Sequence, residues 1–478
     1  MINLNDIKEI IPMIIIAASA LISLMIAVFS KKSGYPVYIF TLLAVLAAIV
    51  FTGLNATKEI PIINEMLRIS TLANAFSIIA MLSIFITVIA SKDYLEKLQI
   101  NFGEYYSMLL FALLGMQIMI YANDMLTIFI GLETMSVCFY VLSGLLRKRM
   151  KSNESAMKYL LLGSFMTGFL LYGMSLIYGV TGFTNIAKIL STFTALRTPM
   201  FLIGLSLFMI GFFFKIGIFP FQMWIPDVYE GAPTVVSGMM ATAGKIAAVG
   251  TIAPILITLN LVDYKLLFSI LAVLTMLYGN IVALSQTNLK RLLAYSSIAS
   301  AGYILVGITA MDDFANKGIA FYLLAYVFMQ LGAFIAVSIF EGSTAGGKDS
   351  RNLTFDEYKG LAKRSPLLAI SITIFLFSLA GMPPLAGFWG KYYIFYAAVK
   401  ANLVWLSVIA ILLSVVSVYY YLKVIIYMWF KEPEGEISGE VVEIKVLSKA
   451  ALYISLAGTL LFGFYPDLFF NFFRFMVK

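Results

Sequence analysis

Runs of about 20 apolar residues recur from one end of this 478-residue chain to the other, separated by short charged or Gly/Pro-containing turns. A run of that length crosses a hydrocarbon core of about 30 Å as a helix. In lipid each backbone N–H and C=O must find its partner inside the protein, which leaves helices and closed barrels as the only spanning structures. Runs this long and without alternation specify helices. Fourteen spans can be drawn, near residues 10–29, 36–54, 72–91, 105–121, 124–146, 155–178, 198–230, 234–258, 264–285, 292–310, 315–340, 365–400, 403–430 and 446–472. Composition agrees: 61% of residues are hydrophobic and 12% charged, whereas a soluble chain keeps roughly 25% charged. The expected fold is an all-α polytopic membrane protein of about fourteen transmembrane helices.

The formal net charge of +8 would suggest a polyanion partner in a soluble domain. Here the basic residues sit mainly in short loops, so their distribution is read as topology, with the lipid bilayer and not nucleic acid as the partner. Loops after odd-numbered spans hold eighteen of the 33 Lys and Arg, against ten in the even loops and termini. This bias places the odd loops in the cytoplasm of a prokaryotic cell and both termini on the other side of its plasma membrane. The start, "MINLNDIKEI", is followed by no small-residue cleavage pattern, so the first apolar run reads as a retained span. One cysteine, Cys138, excludes a disulfide framework and a cluster held by cysteines of this chain alone. The absence of histidine removes haem ligation by His and most zinc or copper sites. No metal or cofactor site is expected on this chain.

Two spans are too long for simple helices, 198–230 and 365–400, and both contain internal Pro and Gly, in "GIFPF" and "AGMPPLAGFWG". Each is expected to be a discontinuous helix, broken near Pro220 and near Pro383/Pro384. They stand five spans apart, as do "KYLLLGSFMTG" from Lys158 and "FYLLAYVFMQLG" from Phe321. An odd offset reverses direction through the membrane, so the expected organisation is two inverted five-helix repeats, a transporter pattern. The chain then divides into helices 1–3 (residues 1–104), a first repeat of helices 4–8 (105–258), a second of helices 9–13 (259–430), and a loop with helix 14 (431–478). The polar loop 341–365 reads as a solvated connector, since no strand precedes its glycines as a phosphate-binding loop requires. Residues 182–196 place Phe183, Ile186, Ile189, Leu190 and Phe193 at helical spacing, which suits an interfacial helix.

Five lysines fall inside spans, Lys158, Lys215, Lys245, Lys391 and Lys423, against one clear acid, Glu133; Asp124 sits at a span end and reads as wetted. An intramembrane charge costs about 2.5–3.5 kcal/mol on insertion scales and marks a pathway by default. One carboxylate neutralises one ammonium, so the other lysines must reach the interface, hydrate or lose a proton. Burial disfavours a charged amine, and a lysine that exchanges its proton is a carrier that needs no histidine. Lys423 lies eight residues from Lys431 and reads as snorkelling to the surface. Lys158 could snorkel or pair with Glu133. Lys215, Lys245 and Lys391 lie too deep to snorkel and read as functional. The break at Pro220 frees backbone carbonyls near residues 216–217. Irregular backbone at membrane depth is tolerated against protein or a watered cavity, so the break predicts hydration beside Lys215. A packing kink is the plain alternative.

The same stretches carry a family resemblance. "FFFKIGIFPFQMWIPDVYEGAP" (212–233), "ATAGKIA" (241–247), "ALSQTNLKRLLAYSSIASAGY" (283–303), "FDEYKGLAKRSP" (355–366) and "SLAGMPPLAGFWGKYY" (378–393) occur in the order found in the antiporter-like subunits of respiratory complex I. The chain most resembles the subunit N group, related to Mrp-type cation/proton antiporter subunits. The resemblance implies a proton-translocating membrane subunit of an NADH–quinone oxidoreductase, without cofactors of its own. NADH, flavin, iron–sulfur clusters and quinone would sit on partner subunits, beside sister antiporter-like subunits. Carried over residue by residue, Glu133 would modulate a lysine, with Lys158 its candidate partner. Lys215 would alternate in charge with that pairing, Lys245 would be the central relay, and Lys391 the terminal donor. Many members have histidine where this chain has Gln222 and Ser300, so a relay there would run through water held by those side chains. A monovalent cation/proton antiporter subunit and a structural membrane scaffold are the other two readings.

Overall fold

The computed structural model describes residues 4–30, 33–54, 60–192, 198–259, 261, 264–342, 353–432, 442 and 444–471. Among them, thirteen helices are long and apolar enough to cross a bilayer, from Ile11–Phe29 to Val446–Phe464. The region 365–400 adds two shorter helices, Pro366–Ala380 and Ala386–Lys400, either side of a break at residues 381–385. The region 198–230 is likewise broken, into Pro199–Ile216 and the short Trp224–Gly231. Both discontinuities thus fall where proline and glycine place them. One feature departs from an all-α fold: a hairpin of Ile60–Ile62 and Leu67–Ile69, paired antiparallel with Pro61 opposite Arg68.

Helix starts follow local chemistry. Ser70, Asp124, Thr198 and Asn288 each accept a hydrogen bond from a backbone N–H in the first turn of the helix they precede. Asp124 is therefore not wetted, as its position at a span end suggested. It is buried, and its second oxygen accepts from Thr184 Oγ1 at 2.6 Å. A carboxylate with two good donors is satisfied without water.

Burial sorts the bundle into an inside and an outside. Leu289–Ala310 and Asp313–Glu341 are enclosed along their membrane windows and Thr234–Leu259 nearly so, whereas Ile11–Phe29, Gly34–Leu54 and Met150–Thr181 show most of their surface outward. Polar side chains on the enclosed helices face protein, not lipid. Two of these helices also carry a π-helical turn, Met240–Gly244 directly before Lys245 and Val327–Leu331 directly after Tyr326. Such turns leave helix carbonyls and side chains displaced from the regular ladder and recur at functional positions. Backbones approach closely where Glu133 is presented: a Cβ at Gly131 would lie 2.7 Å from the Gly115 carbonyl oxygen.

The segment expected as an interfacial helix over 182–196 contains the short helix Ile186–Thr192, with Ile186 and Ile189 buried; residues 193–197 lie outside the described ones. Of the loop 341–365, residues 343–352 also lie outside them. Its last part returns to the bundle, where Phe355 N donates to the Thr287 carbonyl at 2.9 Å. Lys423 is only partly buried and stands 5.3 Å from the Phe355 ring centre, at the bundle end where its snorkelling position put it.

Candidate functional site

The break after Lys215 is built by three residues. Gly217 adopts φ +89, which ends the helix in the left-handed region that glycine enters freely. The indole Nε1 of Trp224, on the far side of the break, reaches back and donates to the Phe214 carbonyl at 2.9 Å. Thr275 Oγ1, from Lys265–Leu284, accepts from Phe219 N at 3.0 Å. The capped carbonyl is thus Phe214, ahead of the 216–217 region marked by the proline, because Gly217 ends the helix first. Protein groups meet part of what water was expected to meet.

Lys215 is 7% exposed and sits among aromatic rings. Its Nζ is 5.2 Å from the Tyr140 ring centre, 4.9 Å from that of Tyr159 and 5.8 Å from that of Phe214. The Tyr159 hydroxyl accepts at 3.4 Å. Tyr159 itself stacks on Trp224, with centroids 4.3 Å apart and an interplanar angle of 6°, and Trp224 meets Tyr229 edge-on at 5.9 Å. The residue that caps the broken helix therefore also fixes the wall of the lysine's cage.

Glu133 is half-buried, and its Oε1 accepts from Thr167 Oγ1 at 2.7 Å. It stands on the same helix, Met125–Ser143, as Tyr140, one of the rings that cage Lys215. Its expected partnership with Lys158 is not formed. Lys158 is 41% exposed and binds Glu154 at 2.6 Å and Asp227 at 2.8 Å. Asp227 and Glu230, from "PDVYEG", also hold Arg291 at 3.1 and 2.8 Å, and Glu230 holds Lys151 at 2.9 Å. The reason is steric direction: Tyr159 points inward to Lys215, so its neighbour Lys158 points away, over the short helix Trp224–Gly231. The structure puts Glu133 on the helix that walls Lys215 with Tyr140 and leaves Lys158 in a surface network.

Lys245, 1% exposed, follows the π turn and directs its Nζ at Ser297, donating to both the backbone carbonyl and the hydroxyl, the latter at 2.6 Å. The Tyr326 ring centre is 5.8 Å away. Lys391, 5% exposed, lies just past the second break and caps the helix that precedes it. Its Nζ donates to the Leu379 carbonyl at 2.8 Å, the Ala380 carbonyl at 3.0 Å and Ser414 Oγ at 2.7 Å. A cation at a helix C-terminus meets the negative end of the helix dipole. Gly381, at φ +87, makes room for it: a Cβ there would lie 3.0 Å from Lys391 Cδ.

Both positions at which many family members carry histidine, Gln222 and Ser300, are buried. Gln222 has neither its amide nitrogen nor its oxygen partnered by protein. Ser300 sits on the enclosed helix three residues past Ser297. Sequence reasoning passed over two further charges. Lys290, placed in a loop, is buried on the first turn of Leu289–Ala310 and donates to the Ala232 carbonyl. Glu341, placed at the head of the polar loop, is a buried helix end that accepts from Tyr94 Oη at 2.8 Å, Thr234 Oγ1 at 2.5 Å and Arg149 Nη1 at 3.0 Å. The signal for Lys290 was the N-cap Asn288 just before it; nothing local marks Glu341.

A bundle of membrane-crossing helices with titratable side chains strung through its enclosed interior, two of them beside broken helices, defines a polytopic membrane protein of the ion-translocating kind. The family described as "NADH:quinone oxidoreductase/Mrp antiporter, TM" matches residues 122–417. The chain is 44% identical to NADH-quinone oxidoreductase subunit N of Trichlorobacter lovleyi, over 100% of this chain and 97% of that one. It is 37% identical to F(420)H(2) dehydrogenase subunit N of Methanosarcina mazei, over 97% of each. A chain in respiratory complex I from Thermus thermophilus superimposes with a TM-score of 0.81 at 29% identity, covering 96% of this chain and 98% of that chain. The chain belongs to the antiporter-like membrane subunits of the NADH:quinone oxidoreductase and Mrp antiporter family.

Proposed function

We propose that this chain is the subunit N-type component of a proton-pumping NADH–quinone oxidoreductase, translocating protons through Glu133, Lys215, Lys245 and Lys391 while quinone is reduced elsewhere in the complex. One observation carries the reading. Three lysines are buried at membrane depth, and among the described residues each is held by aromatic rings, hydroxyls or backbone carbonyls and not by a carboxylate. Each also adjoins a helix irregularity: the break after Lys215, the π turn before Lys245 and the break before Lys391. A permanently charged structural lysine would be expected to have a counter-ion; a lysine that alternates between charged and neutral would not keep one.

The mechanism is electrostatic. Negative charge brought toward Lys215 favours its ammonium form and negative charge withdrawn favours release, so a shift around Glu133 loads or unloads the lysine. The proton then passes by way of Lys245 to Lys391 and out. Lys158, turned into the surface network, has no part in this path. One cysteine and no histidine leave no cysteine ligand set for a cluster and no histidine for haem on this chain, and the family resemblance implies that NADH, flavin, iron–sulfur clusters and quinone are held by partner subunits. The relative from M. mazei bears the name of an F(420)H(2) dehydrogenase, which supports placing the choice of electron donor outside this chain. On this reading the protein sits in the prokaryotic plasma membrane with both termini outside, in two inverted five-helix halves, beside sister antiporter-like subunits.

Because the family also takes in Mrp antiporters, sodium-driven proton exchange is the competing activity. The test is Lys215→Met in the assembled complex, reconstituted in liposomes, with donor oxidation and lumen acidification read together. Loss of pumping in an intact complex is expected. Unchanged protons per electron would refute the reading, and sodium-dependent proton flux without donor would favour the antiporter.

A further inference from the structure

Between Lys245 and Lys391 lies a set of buried hydroxyls that the four charged residues do not account for. Tyr322 and Tyr326, one helical turn apart on Asp313–Tyr326, stack with centroids 5.9 Å apart. Tyr326 faces Lys245, and the Tyr303 ring centre is 4.8 Å from Lys391 Nζ. Tyr322 packs on the helix that carries Lys391, since a Cβ at Gly390 would lie 2.8 Å from Tyr322 Cδ2. Ser297, Ser300 and Tyr303 follow one another along Leu289–Ala310 between the two lysines. Lys245 bonds Ser297 and faces the Tyr326 ring, and Lys391 bonds Ser414 and faces the Tyr303 ring, so each end of the set is anchored on a lysine. Yet the hydroxyls of Tyr303, Tyr322 and Tyr326, and Gln330 Oε1 beside them in the chain, are fully buried without a well-formed hydrogen bond to protein. Their neighbours differ: Tyr421 bonds Ser296 at 2.5 Å and Tyr420 donates to Asn280 at 3.0 Å. The satisfied pair frames the route and the unsatisfied atoms line it.

An unpaired buried hydroxyl is destabilising, and three between two buried lysines are retained only where something offsets it. Ordered water does so where several polar groups converge. Resting on the proposed proton-pumping function, we infer that Tyr326, Tyr322 and Tyr303, with Ser297 and Ser300 and bound water, form a hydroxyl-only relay that carries protons from Lys245 to Lys391. A phenol or serine hydroxyl both accepts and donates. Each takes a proton on its oxygen lone pair and passes its own to the next oxygen. The transfer leaves Lys245 neutral and a previously neutral Lys391 charged, and nothing is oxidised or reduced. No group between the two lysines has an ordinary pKa near neutrality, so this segment conducts without holding the proton on the way.

The experiment uses the whole complex in liposomes. Tyr322→Phe and Tyr326→Phe remove hydroxyls that make no well-formed hydrogen bond to protein, so a purely structural account predicts stability and pumping close to wild type. The relay predicts unchanged assembly with proton-coupled turnover down about tenfold, equivalent to one hydrogen bond at about 1.4 kcal/mol. Tyr121→Phe is the control: it deletes a buried bond to Asn74 Oδ1 of 2.8 Å outside the line, and is expected to lower stability and spare pumping. Radiolytic hydroxyl labelling of the wild-type complex supplies a test that no variant can spoil. Tyr303, Tyr322 and Tyr326 are expected to label above Tyr105, which is buried and bonded to Ser91. Wild-type pumping in both tyrosine variants, or no labelling at the three tyrosines, overturns the relay. If Lys391→Met is dead while those variants pump normally, the relay fails and the proposed function stands. If Lys391→Met also pumps normally, the functional reading beneath it fails first.

Discussion

Lys391 offers the sharpest separation of a structural cap from a proton carrier. Its three N–H donors meet three oxygens, on Leu379, Ala380 and Ser414. In Lys391→Met the stem is kept and the donors are lost. The Ala380 carbonyl retains a contact from Ser414 Oγ at 3.3 Å, so the Leu379 carbonyl is the group left short. One unpaired buried carbonyl costs about 1–3 kcal/mol, offset in part because no ammonium need then be buried. That is too little to dismantle a helix bundle of this size. Lys391→Arg is the more informative change. Arginine keeps the charge and the donors and does not release its proton in proteins. Its extra bulk meets Gly381, already close to the lysine stem, at a further cost of about 1–3 kcal/mol. Both variants are expected to assemble, as read on a native gel, and both to lose proton pumping by roughly 10²-fold or more, the scale of positioned proton transfer. Liposome acidification measured beside donor oxidation gives the ratio directly. Wild-type pumping by Lys391→Arg would refute the reasoning, since it would mean that the charge and its bonds suffice without proton release.

Three other outcomes follow from the same geometry. Trp224→Phe keeps the stack on Tyr159 and removes the donor to the Phe214 carbonyl, so it is expected to destabilise by about 1–3 kcal/mol, seen as a lower melting temperature of the purified complex. Lys158→Met leaves Asp227 paired with Arg291. It is expected to change stability by no more than about 1 kcal/mol and to leave acidification close to wild type, in contrast to Lys215→Met. Glu341→Gln replaces two acceptor oxygens by one where Tyr94, Thr234 and Arg149 all donate. With Arg149 about a third exposed, the loss of one acceptor oxygen is expected to cost about 1–3 kcal/mol, measured as reduced accumulation of the chain in membranes.

The membrane fold was legible because lipid leaves few alternatives: a long apolar run without alternation is a helix, and the two runs too long for one helix broke at their proline and glycine, whereas Pro254 sits inside a continuous helix of ordinary length. The deep lysines were legible for the same reason, because a charge among apolar residues needs an explanation. Side-chain direction was not. Lys158 and Glu133 lie on adjacent spans, but their facing depends on helix rotation, and with Tyr159 turned inward Lys158 meets Asp227. Nor could hydropathy separate loop from helix end, which is why Lys290 and Glu341 were read as solvated and are buried. Trp224 and the tyrosines near Lys245 were invisible in a chain of 15% aromatic residues, since aromatic side chains in a membrane span need no special reason. The indole's partner lies across the break inside span seven, and the place of the tyrosines between the two lysines appears only when spans eight, ten and eleven are packed together.

How each ammonium ion is held separates the parts the lysines play. Lys391 has three oxygen acceptors, two of them at a helix C-terminus, and Lys245 has two, both on Ser297. Lys215 has one phenol at 3.4 Å and three ring faces. A ring face is worth about 0.5–2 kcal/mol to a cation, less than a hydrogen bond to a charged group at about 1.5–3 kcal/mol. The charged state of Lys215 therefore leans most on something beyond its own contacts, and Glu133, on the helix whose Tyr140 faces the ammonium, is the proposed source. A unit negative charge a few ångströms away, at an effective dielectric of about 20, contributes on the order of a few kcal/mol, the same order as the hydrogen bonds that Lys215 lacks. Moving such a charge by a few ångströms switches Lys215 while leaving Lys391, anchored by its own oxygens, almost untouched. Control from outside the chain thus enters at Lys215, and the lysines beyond it respond to the proton they receive.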